Sequence, residues 1–249
     1  MRPVMIFAAL LTATPLLSGC GYSVFDAAED MQGGGMEGGK PITEAVQTTA
    51  AFTAIEAYGP DNIVLVTGDS FSIKAEGNAE AIKTLRFKVD GDAIEIGRTK
   101  GKWFGDAAKG VTITITAPKV MSVSLAGSGD LKADKLSGDK VAIDLAGAGN
   151  VDVADITATL VEGNIAGSGD IKAAGAVAKA DWSIAGSGNV DASAIKSEDV
   201  KASIAGSGDV RATASKTVDA SIAGSGDVIT TGGATCTKSV IGSGKVTCG

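Results

Sequence analysis

The sequence predicts an all-β protein: a parallel β-helix (β-solenoid) of 18–20-residue layers, preceded by an irregular N-terminal β region. Three observations predict it. The phrase Ala-Gly-Ser-Gly-Asp, or a near copy, recurs with its first glycine at Gly127, Gly147, Gly167, Gly186, Gly206, Gly224 and Gly242, so the spacings are 20, 20, 19, 20, 18 and 18 residues. A fixed period of this size marks one layer of a stack, which can bury its apolar face only against its neighbours. On either side of the phrase, apolar and polar residues alternate with the period of a strand. The composition agrees, because 35 glycines, 4% aromatic residues and no histidine describe a glycine-punctuated β protein rather than an ordinary enzyme domain.

Residues 1–19 read as a lipoprotein signal peptide. Arg2 precedes an apolar run from Val4 to Leu17, which ends in Leu17-Ser18-Gly19-Cys20. A charged start, a short apolar run and small residues before a cut describe a secretory signal, and the run is too short to span a bilayer. Leu-Ser-Gly-Cys resembles the bacterial lipobox, which implies that Cys20 carries the lipid anchor. Gly21 rather than Asp follows it, as in lipoproteins that Gram-negative cells send to the outer membrane. The expected location is therefore the cell envelope, with the membrane as a partner through the N-terminal lipid.

Residues 20–49, which include Gly33-Gly34-Gly35 and Gly38-Gly39, read as a flexible tether, since glycine-rich sequence buries too little surface to order itself. Residues 50–120 show strands without the exact repeat and are expected to form the N-terminal layers and cap. Asn62–Thr67 and Val111–Thr116 are the clearest, and Phe71–Ala75 alternates. Leu85–Val89 and Ala93–Ile96 flank Asp90-Gly91-Asp92 as a hairpin, and Ala79–Ile82 reads as a helical turn.

Residues 121–249 hold the seven repeats. Two places before the first glycine stand Leu125, Leu145, Ile165, Ile184, Ile204, Ile222 and Val240, and two places earlier Val123, Ile143, Gly163, Trp182, Ala202 and Ala220. Alternation turns both columns inward, which buries Trp182 between Gly163 and Ala202. After the glycines, Lys132, Asp152, Lys172, Asp191 and Arg211 form an outward column of alternating sign. The column two residues earlier reads Asp130, Asn150, Asp170, Asn189 and Asp209. Asp stands beside each cation and neutral Asn beside each Asp, so stacked carboxylates are avoided, as parallel layers about 4.8 Å apart require.

Cys236 and Cys248 lie in the final repeat and are expected to form a disulfide that clamps the open end of the stack. Zinc would need further ligands, and the chain has no histidine. The Gly-Ser-Gly-Asp corners do not carry enough carboxylates for calcium, and no base activates their serines. They also lack the strand-to-helix setting of a phosphate loop. No catalytic, cofactor-binding or metal-binding residue is therefore assigned. A formal net charge of −7 with scattered Lys and Arg excludes nucleic acid as a partner. Lys102, Trp103 and Phe104 form a basic, aromatic loop between strands. Trp103 and Phe104 are expected to fold over the N-terminal end of the core, with a ligand-facing role for the three residues as the alternative.

Val111-Thr112-Ile113-Thr114-Ile115-Thr116-Ala117-Pro118, running into Ser124-Leu125-Ala126-Gly127-Ser128-Gly129 after Ile63-Val64-Leu65-Val66, resembles the putative auto-transporter adhesin head GIN domain family over residues 50–249. The resemblance implies a parallel β-helix-like fold and a surface-binding role. The functional expectation is a lipid-anchored, non-catalytic envelope protein that displays a β-solenoid for adhesion or structural interaction with an unidentified protein or glycan. The alternative is a glycan-binding or glycan-processing β-helix, although such short, uniform layers offer little groove.

Overall fold

The computed structural model describes residues 35–101 and 104–249. From β11 (Leu136–Gly147) onward the expected solenoid is present. β12 (Val151–Gly167), β13 (Ile171–Gly186), β14 (Val190–Gly206) and β15 (Val210–Gly224) are long bent strands, each wrapping one layer and each parallel to the next. Leu145, Ile165, Ile184, Ile204 and Ile222 stack in register and are all buried.

The corners explain the glycines. Gly147 takes φ +127°, a left-handed conformation that a side chain resists. Two residues on, a Cβ at Gly149 would lie 1.9 Å from the carbonyl oxygen of Gly129 in the layer below. A Cβ at Gly147 would lie 2.2 Å from the Gly127 oxygen, and that oxygen accepts the N–H groups of Ala148 and Gly149 at 2.9 and 3.2 Å. One glycine therefore both turns the chain and lets the corners stack, and the other serves the stacking.

Trp182 lies where alternation put it, between Gly163 and Ala202 in adjacent layers and 0% exposed. Its Nε1 is buried without a hydrogen-bond partner. This is a cost of filling the core at that level with one large ring.

The N-terminal strands join the same stack, but not in chain order. β3 (Ala54–Gly59) pairs parallel with β7 (Ala93–Arg98) on one side and with β9 (Ser122–Gly127) on the other. β4 (Asn62–Thr67) likewise lies between β8 (Thr112–Ala117) and β10 (Leu131–Ala133). The β3–β4 layer therefore sits between the β7–β8 layer, later in the chain, and the first exact repeat.

β5 (Ser72–Glu76) and β6 (Leu85–Asp90) close that end by pairing antiparallel with β8 and β7. Antiparallel pairing reverses the winding, so the solenoid cannot continue past it. Between β5 and β6 the short helix α1 (Ala79–Ile82) is capped by the Asn78 side chain, whose oxygen accepts from the N–H groups of Glu80 and Ala81.

The tether expected over residues 20–49 ends sooner than the sequence implies. β1 (Lys40–Pro41) pairs with β6, β2 (Gln47–Thr48) pairs with β5, and Ile42 is buried. A single buried isoleucine and two short edge pairings hold a segment that its composition marks as loose.

At the opposite end, β16 (Val228–Thr231) stacks on β15, and β17 (Thr235–Gly242) and β18 (Val246–Cys248) form the last layer. The Cys236–Cys248 disulfide joins β17 to β18 across this layer. The Trp182 column ends there in an exposed Lys238, in register with Ala220. An inward-facing lysine on an open strand edge opposes the addition of another strand. Among the described residues no helix is long and apolar enough to cross a membrane.

Candidate functional site

A continuous polar relay follows the corners. Asn62 Oδ1 accepts the Asp130 N–H at 2.9 Å, Asp130 Oδ1 accepts the Asn150 N–H at 3.0 Å, and Asn150 Oδ1 accepts the Asp170 N–H at 3.3 Å. Asp170, Asn189, Asp209 and Asp227 continue the relay to the Lys245 N–H. Each side chain thus caps a backbone donor one layer along.

The Asp/Asn alternation has a further reason. Asn150 Nδ2 donates to Asp130 Oδ1 and Asn189 Nδ2 to Asp170 Oδ1, both at 2.9 Å, contacts that a carboxylate could not supply. The relay also exposes a corner that sequence reading missed. Gly59-Pro60-Asp61-Asn62 occupies the place of Gly-Ser-Gly-Asp, with Gly59 in register with Gly127. Its signal was the glycine followed by Asn62-Ile63, but the separation of 68 positions from Asn62 to Asp130 hid it from a search for a 20-residue period.

Beside the relay, Lys132, Asp152, Lys172, Asp191 and Arg211 stand in register through successive layers, as their alternating signs predict. Two shallow, open grooves lie along this column. One, of about 300 Å³, is lined by Asp130, Lys132, Asn150, Asp152, Asp170 and Lys172. The other, of about 200 Å³, is lined by Asp152, Lys172, Asp191 and Ser193 over a floor of small residues.

The Asp191 carboxyl is held below its usual range, first by the Ser193 hydroxyl donating to it and also by Lys172 and Arg211 on either side. The rungs act on one another at longer range than a contact pair. Among the described residues the ion pair found in this region is Arg211 with Asp209, at 3.8 Å. On the neighbouring face Asp144 is half-buried, and burial pushes its carboxyl up despite the Asn164 amide donating to it at 2.8 Å.

A second surface interrupts the corner column in the β7–β8 layer, where residues 99–101 and 104–110 stand in place of a tight turn. Its root is a buried ion pair that sequence reading did not find. Arg98 Nε and Nη2 donate to the Asp61 carboxylate at 2.7 and 2.6 Å, and both residues are about 5% exposed or less. The same guanidinium donates to the carbonyls of Ala107 and Lys109, and Asp61 accepts the Val111 N–H at 3.1 Å. One planar cation therefore fixes the returning half of the loop, which suits the fork of arginine better than the point charge of lysine. The 3-10 turn at Gly105–Ala108 lies against α1.

Phe104 does not fold over the core as expected; it is 78% exposed. Lys102 and Trp103 lie outside the described residues, as does Cys20. The chain enters the described region beside this loop. The Met36 N–H donates to the Arg98 oxygen at 2.7 Å, and the Lys100 ammonium, 2.7 Å from Glu37, holds the Glu37 carboxyl below its usual range.

The family model described as "Putative auto-transporter adhesin, head GIN domain" matches residues 51–234. Among curated proteins none matches the chain. A putative adhesin from Bacteroides fragilis superposes with a TM-score of 0.77 at 25% identity, over 83% of this chain and 99% of that one. A putative adhesin from Parabacteroides merdae has a TM-score of 0.65 at 20% identity, over 82% and 95% of the two chains. A putative lipid binding protein from Parabacteroides distasonis shares the fold at a TM-score of 0.64 and 20% identity, over 84% and 100%. The matched span includes the displaced β3–β4 layer as well as the repeats through Gly224, and the chain belongs to the putative auto-transporter adhesin head GIN domain family.

Proposed function

We propose that this protein is a lipid-anchored, non-catalytic component of the cell envelope that presents its solenoid as an adhesive surface. The observation that carries the reading is the in-register column from Lys132 to Arg211 beside the Asn62–Lys245 relay. It gives a stiff, repeating array of donors, acceptors and charges, with open grooves that suit contact along a partner more than enclosure of a substrate. The family's adhesin-like character supports a surface partner, protein or glycan. Cys20 would carry the acyl chains, with the residues before it removed.

Incubating the full chain with a glycan array and with envelope polysaccharides tests the reading. Retention on defined glycans or envelope proteins that weakens in Lys172→Asp, without release of shortened sugars, is expected. Sugar release would make the protein a glycan-processing β-helix and overturn the non-catalytic assignment. The anchor is tested separately: Cys20→Ser should accumulate as an unprocessed precursor that takes up no acyl label, and normal processing of that variant would remove the lipid from the account.

A further inference from the structure

Lys132, Asp152 and Lys172 stand in register in successive layers, yet among the described residues none of the three side chains reaches an ion-pair or hydrogen-bond partner. Opposite charges one layer apart do close elsewhere on the stack. Lys201 lies 3.6 Å from Asp181, Lys140 2.7 Å from Glu162 and Lys216 2.6 Å from Glu198. The column therefore keeps its donors and acceptors open, along grooves floored in part by Ala154, Ala173 and Ala174. We infer that it binds a neutral, linear polysaccharide of equatorially linked sugars, laid along the stack with one sugar per layer. The inference rests on the adhesive reading above and names its ligand.

Spacing points to a sugar chain. Layers repeat about every 4.8 Å, close to the rise of one pyranose in an extended chain whose linkages are equatorial. In such a chain alternate rings turn over, so the edge presented to one side recurs every second sugar. The column recurs in the same way: Lys132, Lys172 and Arg211 present donors, with the acceptors Asp152 and Asp191 between them. Ring hydroxyls donate to a carboxylate and accept from a cation, so one kind of ligand group serves both kinds of rung. The relay adds acceptors already held in place. Asp130 and Asp170 use Oδ1 for the next layer, while Oδ2 takes no part, and both residues line the larger groove. Groups fixed beforehand lose little freedom on binding.

Other polymers fit this surface less well. Asp130, Asp152, Asp170 and Asp191 outnumber Lys132 and Lys172 in the two grooves, which repels a polyanion. β12, β13 and β14 are paired on both sides, so they leave no open edge for a peptide strand to extend. Side chains on one face of such a strand would also recur about every 6.7 Å, out of step with the layers. Among the residues lining the grooves no large apolar side chain is exposed to anchor a folded protein.

The full chain, in a sugar-free detergent, is titrated with cello- and chito-oligosaccharides of increasing length and with maltohexaose, whose axial linkages wind it into a helix. In at least one of the first two series, binding is expected to tighten with each added sugar up to about five, the number of layers from Lys132 to Arg211, and to change little with salt. Maltohexaose should bind roughly tenfold more weakly. Asp152→Ala and Lys172→Ala, at exposed positions, should each weaken hexaose binding roughly tenfold with the melting midpoint little changed. Lys119→Asp, outside the column, should bind as the wild type does.

Equal affinity for disaccharide and hexaose, or for the three hexaoses, overturns the fit of one sugar per layer. Binding untouched by both column variants overturns the site. If neither series binds, yet retention of envelope proteins still weakens in Lys172→Asp, the ligand class is overturned and the adhesive surface stands. Cleavage of a hexaose to shorter sugars keeps the ligand class and overturns the non-catalytic role. Neither sugar binding nor envelope retention overturns both.

Discussion

Gly163 lies directly beneath the ring of Trp182: a Cβ built at Gly163 would come within 2.3 Å of Cζ3. The missing side chain in one layer is the room for the largest side chain in the next. Gly163→Ala should therefore destabilise the protein by about 1–3 kcal/mol through overpacking. Trp182→Ala alone should cost about 3–5 kcal/mol through the cavity it leaves. Together the two should cost less than their sum, because the new methyl enters the vacated space. Urea midpoints of the four proteins measure this coupling, and simple additivity would mean the two residues do not share a site.

The Arg98–Asp61 pair makes a different demand. Removing one partner strands a buried charge, so Asp61→Ala should cost roughly 3–5 kcal/mol. It should also release the loop, since Arg98 holds the Ala107 and Lys109 carbonyls. Limited proteolysis within residues 99–110 should accelerate in the variant well below its unfolding midpoint. An unchanged cleavage rate would show that the loop does not depend on this anchor.

Reversing one rung probes the charged column. Lys172→Asp places three carboxylates in succession with Asp152 and Asp191. Each altered neighbour contact should cost about 0.2–1 kcal/mol at low salt, and added salt should recover much of it. Lys119→Asp, at an exposed position outside the column, changes net charge equally and serves as the control. Equal shifts in the two would reduce the column to a general charge effect.

Asp144 carries a pH signature of known sign. Its carboxyl is raised by burial, so the folded protein prefers it protonated. The stabilising contribution is present below the ordinary carboxylate pKa and lost as pH rises through the raised value. Asp144→Asn keeps an acceptor for Asn164 and should be more stable than the wild type at pH 7, with the difference vanishing at low pH. A thermal-melt series across pH reads this directly, and a stability gap that widens toward low pH would reverse the assignment.

The last layer should behave as a guarded end. Reducing the Cys236–Cys248 disulfide, which closes a 12-residue separation, should cost about 3 kcal/mol. Lys238→Val should leave stability nearly unchanged but raise self-association in sedimentation, because it removes the charge from an open strand edge. A variant that stays monomeric to high concentration would show that Lys238 does not guard that edge.

Much of this was legible in the chain itself. A 20-residue period, strict alternation and charges that change sign at each layer are local properties, repeated so often that only stacked parallel layers satisfy all of them at once. The burial of Trp182 between Gly163 and Ala202 followed, because register is fixed wherever one face is apolar. The corner glycines followed for the same reason. Tertiary structure decided what depends on a partner distant in sequence. Asp61 faces Arg98 across 37 residues, and Asn62 heads the relay only because β3 and β4 lie against β9 and β10. Their layer was threaded between neighbours that come later in the chain, so no repeat length announced it. Ile42 looked like part of a tether because glycine-rich sequence has no periodicity to reveal which of its few apolar residues finds a groove. Phe104 is exposed rather than packed over the core, and the hold of the buried arginine on the chain beyond it, at Ala107 and Lys109, is an interaction that no pattern within the loop encodes.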